Sequence, residues 1–416
     1  MTPNLANAPL PAAERLPTLD ILRGFALLGI LIMNMPGFSS SPFAEADGSH
    51  LWPGRIDQFA EELRNMLFSG KFNSMFSLLF GIGFTIQYAR MVERDPQHAN
   101  LLYLRRLSVL LLAGVVHACV FWWGDVLHAY ALLGMLLLFA LSRLSDRGVL
   151  VLIGACLLYP ALSGALRLQL ITPDVTAMLV ARAQALEASN NAAFGNGSFL
   201  VTAGENLRVM AHFYGDRWSL WNELGWYVQL LLTMLIGLLA GRRRWVQRAG
   251  ELMPQIRRLT WLALGIGLAC GAAYTVIFAL NRAPGPSPIK MIGSLCYWAS
   301  RPAMMIFYVL VIVRLAQQPA WRARLAPMAA AGRMPLTNYL MQTALCTTLF
   351  YGWGFGLWGR VGPAWGLLLA VVIFFAVQVP WSLWWLRRHE RGPLEMLWSR
   401  ATYGWGLAPA SAATRT

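Results

Sequence analysis

Charge is what this 416-residue chain has least of: 13% of its residues are Asp, Glu, Lys or Arg, against 57% that are hydrophobic and 18 tryptophans. So little charge excludes a soluble chain of this length and marks a polytopic, all-α membrane protein. Cysteine is scarce as well. The five, Cys119, Cys156, Cys270, Cys296 and Cys346, lie in or beside apolar stretches with no CxxC and no cluster, which excludes a disulfide framework and a zinc site. No Walker loop, dinucleotide-binding glycine fingerprint, HExxH, GxSxG or metal-ligand spacing is present, so the soluble-enzyme chemistries that need them have no foothold. Internal repeats are absent. A basic region with a cleavage motif around the first apolar segment is absent too, so that segment reads as a retained anchor.

Apolar stretches of bilayer-spanning length run over 20–37, 66–89, 103–123, 126–142, 148–166, 219–241, 259–280, 291–316, 328–351 and 364–386. Ten transmembrane helices are therefore expected, the fourth being short. Arginines concentrate in alternate loops, among them Arg90, Arg94, Arg143, Arg147, Arg242, Arg243, Arg244, Arg314, Arg322 and the tail from Arg387 to Arg400. The first loop on the other side instead carries Glu45, Asp47, Asp57, Glu61 and Glu62. The positive-inside rule then places both termini in the cytoplasm. The net charge of +15 is accounted for by topology and anionic lipid, so the chain's partner is the bilayer and no nucleic-acid binding is expected. Residues 1–17, rich in proline, read as a flexible tail, 18–400 as a single transmembrane domain, and 401–416 as a C-terminal tail. One insertion, 167–218, is expected to form amphipathic helices over the outer face, placed to act as a lid.

Polar residues inside such helices are costly and mark function by default. The first span carries Asp20 and Arg23 at one mouth and Asn34 at the other. His117 precedes the tight outer turn Trp122-Trp123-Gly124-Asp125, with His128 just after it. Asp125 falls where a helix cap is needed, and a carboxylate there can also fix the tautomer of an imidazole acting as general base. His50 lies in the first outer loop and Lys71 opens the second span, whose glycines 81 and 83 suit close helix contact. Arg301, followed by Pro302, falls near mid-membrane, where it must be paired or face water. Asn338 and Gln342, four apart, form a stripe that serves either as interhelical hydrogen bonds or as a cavity wall. Asp20, Arg23, Lys71, Arg301, Asn338 and Gln342 are the candidate cavity residues.

These residues resemble the bacterial YeiB family over nearly the whole chain. The matching motifs are Leu19-Asp20-Ile21-Leu22-Arg23-Gly24 with Asn34; Lys71-Phe72 with Leu79-Phe80-Gly81; the turn from His117 to Asp125; Gly332-Arg333 with Asn338-Tyr339 and Gln342; and Gly392-Pro393-Leu394-Glu395. The resemblance implies a protein of the bacterial cytoplasmic membrane. The N-terminal pattern is also distantly similar to the heparan-α-glucosaminide acetyltransferases and other transmembrane acyltransferases. What that implies is transfer of an acyl group from cytosolic acyl-CoA to an outer-face or lipid-linked acceptor. His117 or His50 would be the base, with Asp125 its orienting acid, and Asn34 would steady the oxyanion. Arg105, Arg106 and Arg333 would meet the CoA phosphates, a role guanidinium geometry suits. Acyl-CoA enters as a substrate, with no covalently bound cofactor expected. The alternative class is a transporter or exporter of a small polar solute, with Arg301, Gln342 and His117 lining the path. Self-association as a homodimer stays open.

The orientation is testable by labelling. A cysteine placed at Gly195 should react with an impermeant thiol reagent added outside, and one placed at Arg244 should not; the reverse pattern would invert the topology.

Overall fold

The computed structural model describes residues 16–404, all helix and loop with no strand among them. The first helix, α1 (Pro17–Ser39), begins with Pro17 in its first turn, where a missing N–H costs nothing, and Asp20 complements the positive end of its dipole. Helix α1 therefore starts at the last residue of the expected tail, with Leu16 as its cap; residues 1–15 lie outside the described residues. The other helices are α2 (Arg55–Leu67), α3 (Lys71–Arg94), α4 (Ala99–Val116), α5 (Leu127–Phe139), α6 (Asp146–Leu170), α7 (Pro173–Asn196), α8 (Phe199–Gly215) and α9 (Arg217–Arg242). They are followed by α10 (Met253–Leu280), α11 (Pro288–Ala316), α12 (Pro319–Arg324), α13 (Ala326–Gly332), α14 (Pro335–Phe350), α15 (Pro363–Val372), α16 (Val379–Leu386) and α17 (Pro393–Tyr403). Of the expected C-terminal tail, Ala401 to Tyr403 belong to α17, and 405–416 lie outside the described residues.

Eight of these stretches are long and apolar enough to cross a membrane: Pro17–Ser39, Arg55–Arg94, Ala99–Phe121, Asp146–Leu170, Arg217–Arg242, Met253–Leu280, Pro288–Ala316 and Pro363–Leu386. Ranks of large exposed apolar side chains on them, such as Leu112, Val151, Leu158, Trp261 and Leu280, face where lipid would lie. The chain is a multi-pass membrane helix bundle. The other two expected spans are shorter helices. Helix α5 has 13 residues, about 20 Å at 1.5 Å per residue, and α14 has 16, so neither reaches the roughly 30 Å of a hydrocarbon core alone. The expected span 328–351 is broken because Pro335 drives Met334 out of helical geometry (φ −123°, ψ 50°), ending α13 and restarting the chain as α14. The expected span 66–89 is likewise interrupted, by Gly70 in the left-handed region (φ 74°) between α2 and α3.

Close backbone approaches hold the centre together. At Gly24 a side-chain carbon would stand 1.9 Å from the carbonyl oxygen of Met328, and at Gly332 1.9 Å from that of Asp20, so α1 and α13 touch main chain to main chain. Helices α3 and α9 do the same at Gly81, 2.2 Å from the Met234 oxygen, and at Gly237, 2.1 Å from the Leu78 oxygen. Gly83 faces open space instead.

The insertion forms α7 and α8, stitched to neighbouring loops through side-chain amides, of which Asn190 and Asn206 are buried. Asn190 accepts from Ser41 Oγ (2.9 Å) and donates to Glu205 (2.7 Å), Asn206 accepts the Trp123 N–H (3.2 Å), and Asn191 accepts the Trp358 indole N–H (2.9 Å).

Because Gly237 sits against backbone, which cannot yield, Gly237→Val should destabilise by about 1–3 kcal/mol or more as an overpacked core position. Gly83→Ala should instead be neutral or stabilising by about 0.5–1 kcal/mol, since the helix gains and nothing is struck. Thermal unfolding in detergent checks this; equal losses at both positions would contradict the packing.

Candidate functional site

A cavity of about 550 Å³ opens on the arginine-rich face of the bundle. Its mouth gathers Asp20, Arg23, Arg90, Arg94, Arg106, Arg333 and Arg391 from helices far apart in sequence. Arg23 pairs with Asp20 (2.8 Å), Arg333 donates to the Glu390 carbonyl (3.0 Å), and the Arg106 guanidinium lies 3.7 Å over the Trp398 ring. Inward the wall turns apolar, with Ile30, Leu79, Phe80, Leu107 and Leu110, and the cavity ends on Val126, Leu127, Tyr130 and Tyr339.

Directly behind that floor lies a buried polar relay. The Tyr339 ring packs on the His117 imidazole (centroids 5.4 Å apart), and its hydroxyl accepts the Val126 N–H (3.3 Å). His117 Nδ1 is 2.8 Å from Asp125 Oδ1, and His128 Nδ1 is 2.7 Å from Asp125 Oδ2, which also accepts the His128 backbone N–H (2.9 Å). Asp125 thus does the capping work near the start of α5 and orients both imidazoles. On the far sides, His117 Nε2 meets Thr343 Oγ1 (2.9 Å), and His128 Nε2 meets the Tyr214 hydroxyl (2.7 Å), itself 3.2 Å from that of Tyr227. With Asp125 ionised and accepting from both neutral rings, each Nδ1 carries the proton, and each Nε2 accepts from a hydroxyl. Thr343, His117 and Asp125 then stand in the order hydroxyl, base, orienting acid.

Local structure produces this. Residues His117–Phe121 leave α4 as a π-helical turn, a deviation often found at functional sites, and the chain then runs extended through Trp122. Gly114 lets the next helix close in, since a side chain there would meet the His128 nitrogen at 2.4 Å and Asp125 at 3.0 Å. Tyr214 arrives from α8, so the insertion completes the relay.

Other expected site residues are placed differently. Asp20, Arg23, Arg106 and Arg333 line the cavity, whereas Arg105 is exposed on another face of α4. His50 is exposed in its loop, and Asn34, half-buried on α1, makes no side-chain hydrogen bond with another described residue. Lys71, Arg301, Asn338 and Gln342 are not in this cavity's wall. The last two are interhelical ties: Asn338 donates to the Ala331 carbonyl and Ser382 Oγ (both 3.0 Å), and Gln342 donates to the Leu27 carbonyl (3.1 Å) and Gln378 (3.0 Å). Tyr214 and Tyr227 complete the relay without any motif pointing to them, and Thr343, which follows Gln342 in the C-terminal motif, gives no local sign of its pairing with His117, because membership depends on α8, α9 and α14 meeting the α4–α5 turn.

Two curated bacterial proteins align with almost the full length of the chain. "Uncharacterized protein YxaH" of Bacillus subtilis (strain 168) is 32% identical over 418 residues, covering 97% of this chain and 96% of that protein. "Uncharacterized protein YeiB" of Escherichia coli (strain K12) is 31% identical, covering 94% of this chain and 96% of that protein. The family described as "Protein of unknown function (DUF418)" matches residues 240–405. The chain belongs to the DUF418 family, with YeiB. No solved structure matches it. The matched stretch supplies only one side of the site: Thr343, Tyr339, Arg333 and Glu395 fall within it, while His117, Asp125 and Arg106 come from the N-terminal half.

Glu395, on α17, lies at the cavity's edge and caps α14 from outside that helix. It accepts the Leu336 and Thr337 backbone N–H groups (2.7 and 3.1 Å) and the Thr337 hydroxyl (2.6 Å). Burial nevertheless pushes its carboxyl above the ordinary 4.5. A folded state that holds the proton more tightly is favoured at low pH, so this contribution falls as pH rises from the ordinary value through the raised one. Glu395→Gln should therefore flatten the pH dependence of the melting temperature across that window. A variant profile as steep as the wild type's would show that this carboxyl does not titrate there.

Proposed function

We propose that this chain is a membrane acyltransferase, taking an acyl group from cytosolic acyl-CoA and passing it to an outer-face or lipid-linked hydroxyl or amine. One observation carries the reading: an arginine-rimmed cavity with an apolar inner wall reaches Tyr339, whose ring packs on a buried hydroxyl–imidazole–carboxylate relay. The division suits acyl-CoA. Its phosphates match guanidinium donors such as Arg23, Arg106 and Arg333, while its pantetheine arm and acyl chain suit the apolar wall. His117 Nε2 would take the proton of the acceptor, which replaces Thr343 as its hydrogen-bond partner. The acceptor's oxygen or nitrogen then bonds to the thioester carbon, the carbon–sulfur bond breaks, and the proton passes to the departing thiolate. Asp125 holds the Nδ1 tautomer and stabilises the imidazolium while it exists. For this path the Tyr339 side chain must swing from the floor. The setting proposed is a bacterial cytoplasmic membrane with both termini inside. A transporter would need Arg301, Gln342 and His117 on one path, yet Gln342 is consumed in a helix tie and Arg301 belongs to a separate cluster.

In detergent, acetyl-CoA or a longer acyl-CoA should raise the melting temperature, since a ligand that binds only the folded state adds about 2.7 kcal/mol at a hundred times its Kd. Arg106→Ala and Arg333→Ala should weaken the effect, and Arg105→Ala should leave it nearly intact. With labelled acyl-CoA and a membrane extract as acceptor, His117→Ala should abolish transfer while keeping acyl-CoA binding, and Asp125→Asn should slow it without abolishing it. No stabilisation by any acyl-CoA, or an undiminished rate in His117→Ala, would remove the proposal.

A further inference from the structure

A second polar cluster lies apart from the cavity, at the break between α2 and α3. Lys71, the first residue of α3 and one of only two lysines in the chain, is fully buried. Its ammonium makes one hydrogen bond, to the Asn65 carbonyl (2.8 Å). Arg301, nine-tenths buried on α11, packs against Gly70, and its Nε has no hydrogen-bond partner among the described residues. Both cations lie over the same ring, Tyr297, at 5.6 and 4.6 Å. Arg64, from the last turn of α2, reaches Asn65 Oδ1 (3.0 Å), while its Nε is also buried and unpartnered. Tyr274, stacked on Tyr297 at 4.5 Å, feels both Arg64 and Arg301.

Among the described residues the only carboxylate paired with these three cations is Glu61, 3.5 Å from Arg64. The cluster is therefore short of negative charge where charge is expensive, and removing such groups from water without a counter-ion costs several kcal/mol. Two further features have the same sign. Helix α3, 24 residues long, directs its positive end at this point, and the missing side chain of Gly70 lets the Arg301 guanidinium lie against that end. Arg64 and Glu61 also line a pocket of about 250 Å³ on the face opposite the arginine-rich cavity, so that pocket meets the cluster at Arg64.

We propose that Arg64, Lys71 and Arg301 form a membrane-embedded oxyanion site, open to the outer face, that takes a phosphate-type group. A planar guanidinium with unused donors suits a tetrahedral oxyanion better than a spherical halide. The group can arrive as a free ion or on a lipid headgroup.

The test is thermal unfolding of the full-length protein in detergent, titrated with sodium phosphate against sodium chloride of equal ionic strength, and separately with phosphatidylglycerol doped into the micelles. Phosphate should raise the melting temperature where chloride does not, with an apparent affinity lowered at least about tenfold, or 1.4 kcal/mol, in Arg301→Gln and Lys71→Met. A shift given by phosphatidylglycerol but not by phosphate, and lost in the same variants, assigns the site to a headgroup. No shift from either probe, an equal shift from chloride, or a shift unchanged in both variants overturns the proposal. A purely structural cluster would lower the basal melting temperature of the variants and leave any phosphate response intact. Should Arg301→Gln fail to fold, Lys71→Met, which removes charge while keeping bulk, carries the same comparison.

Discussion

A carboxylate buried among helices must collect donors, and Asp125, 3% exposed, collects three from two histidines. Much of the outer half of the bundle is arranged to let it do so. The α4–α5 turn tightens around it and α14 presents Thr343 to one imidazole. Helix α8, outside the membrane-length spans, presents Tyr214 to the other. Removing any member leaves a polar group without water or partner, at a cost of roughly 1–3 kcal/mol for each neutral group and more for the charge. The relay therefore fixes the relative positions of α4, α5, α8 and α14, whatever chemistry it performs.

The same constraint explains the second lattice. Gln378 sits in a π-helical segment, Ile373–Gln378, and donates to the Asn338 carbonyl (2.7 Å) while accepting from Gln342. Both π-helical segments among the described residues thus carry a fully buried polar side chain. An extra residue in a turn re-aims such a group and frees backbone carbonyls. Helix irregularity and polar burial go together because hydrocarbon offers no solvent to correct a misdirected donor.

Much of this could be read in the sequence where the signal was local. The class, the sites of most spans, the arginine-rich face and the neighbourhood of His117 and Asp125 all follow from hydropathy, loop charge and spacing. Partners distant in sequence could not be read. Thr343 lies 226 residues from His117, Tyr214 lies 86 from His128, and nothing short-range announces either pairing. The stripe of Asn338 and Gln342 was ambiguous for the same reason: a polar face looks identical from within its own helix whether it lines space or bonds to Leu27 and Gln378. Hydropathy does not register Pro335 or Gly70 as a helix end, so one apolar run can hold two helices.

Arginine use completes the physical picture. Many of the chain's cations gather on one face, at the mouth of the large cavity. Arg64, Lys71 and Arg301 are instead held among tyrosines at a helix break below the outer pocket. Topology cannot account for these three, because positive charge on that side opposes the positive-inside preference. Helix pairing does not account for them either, because their carboxylate complement is a single Glu61. What remains is an energetic deficit that an anion would remove, and it lies on the face from which the acceptor proposed for the relay would come. Donor and acceptor faces would then be distinguished by how their cations are used: stacked and paired at the mouth of the larger cavity, and left with unused donors in a cluster that meets the smaller pocket at Arg64.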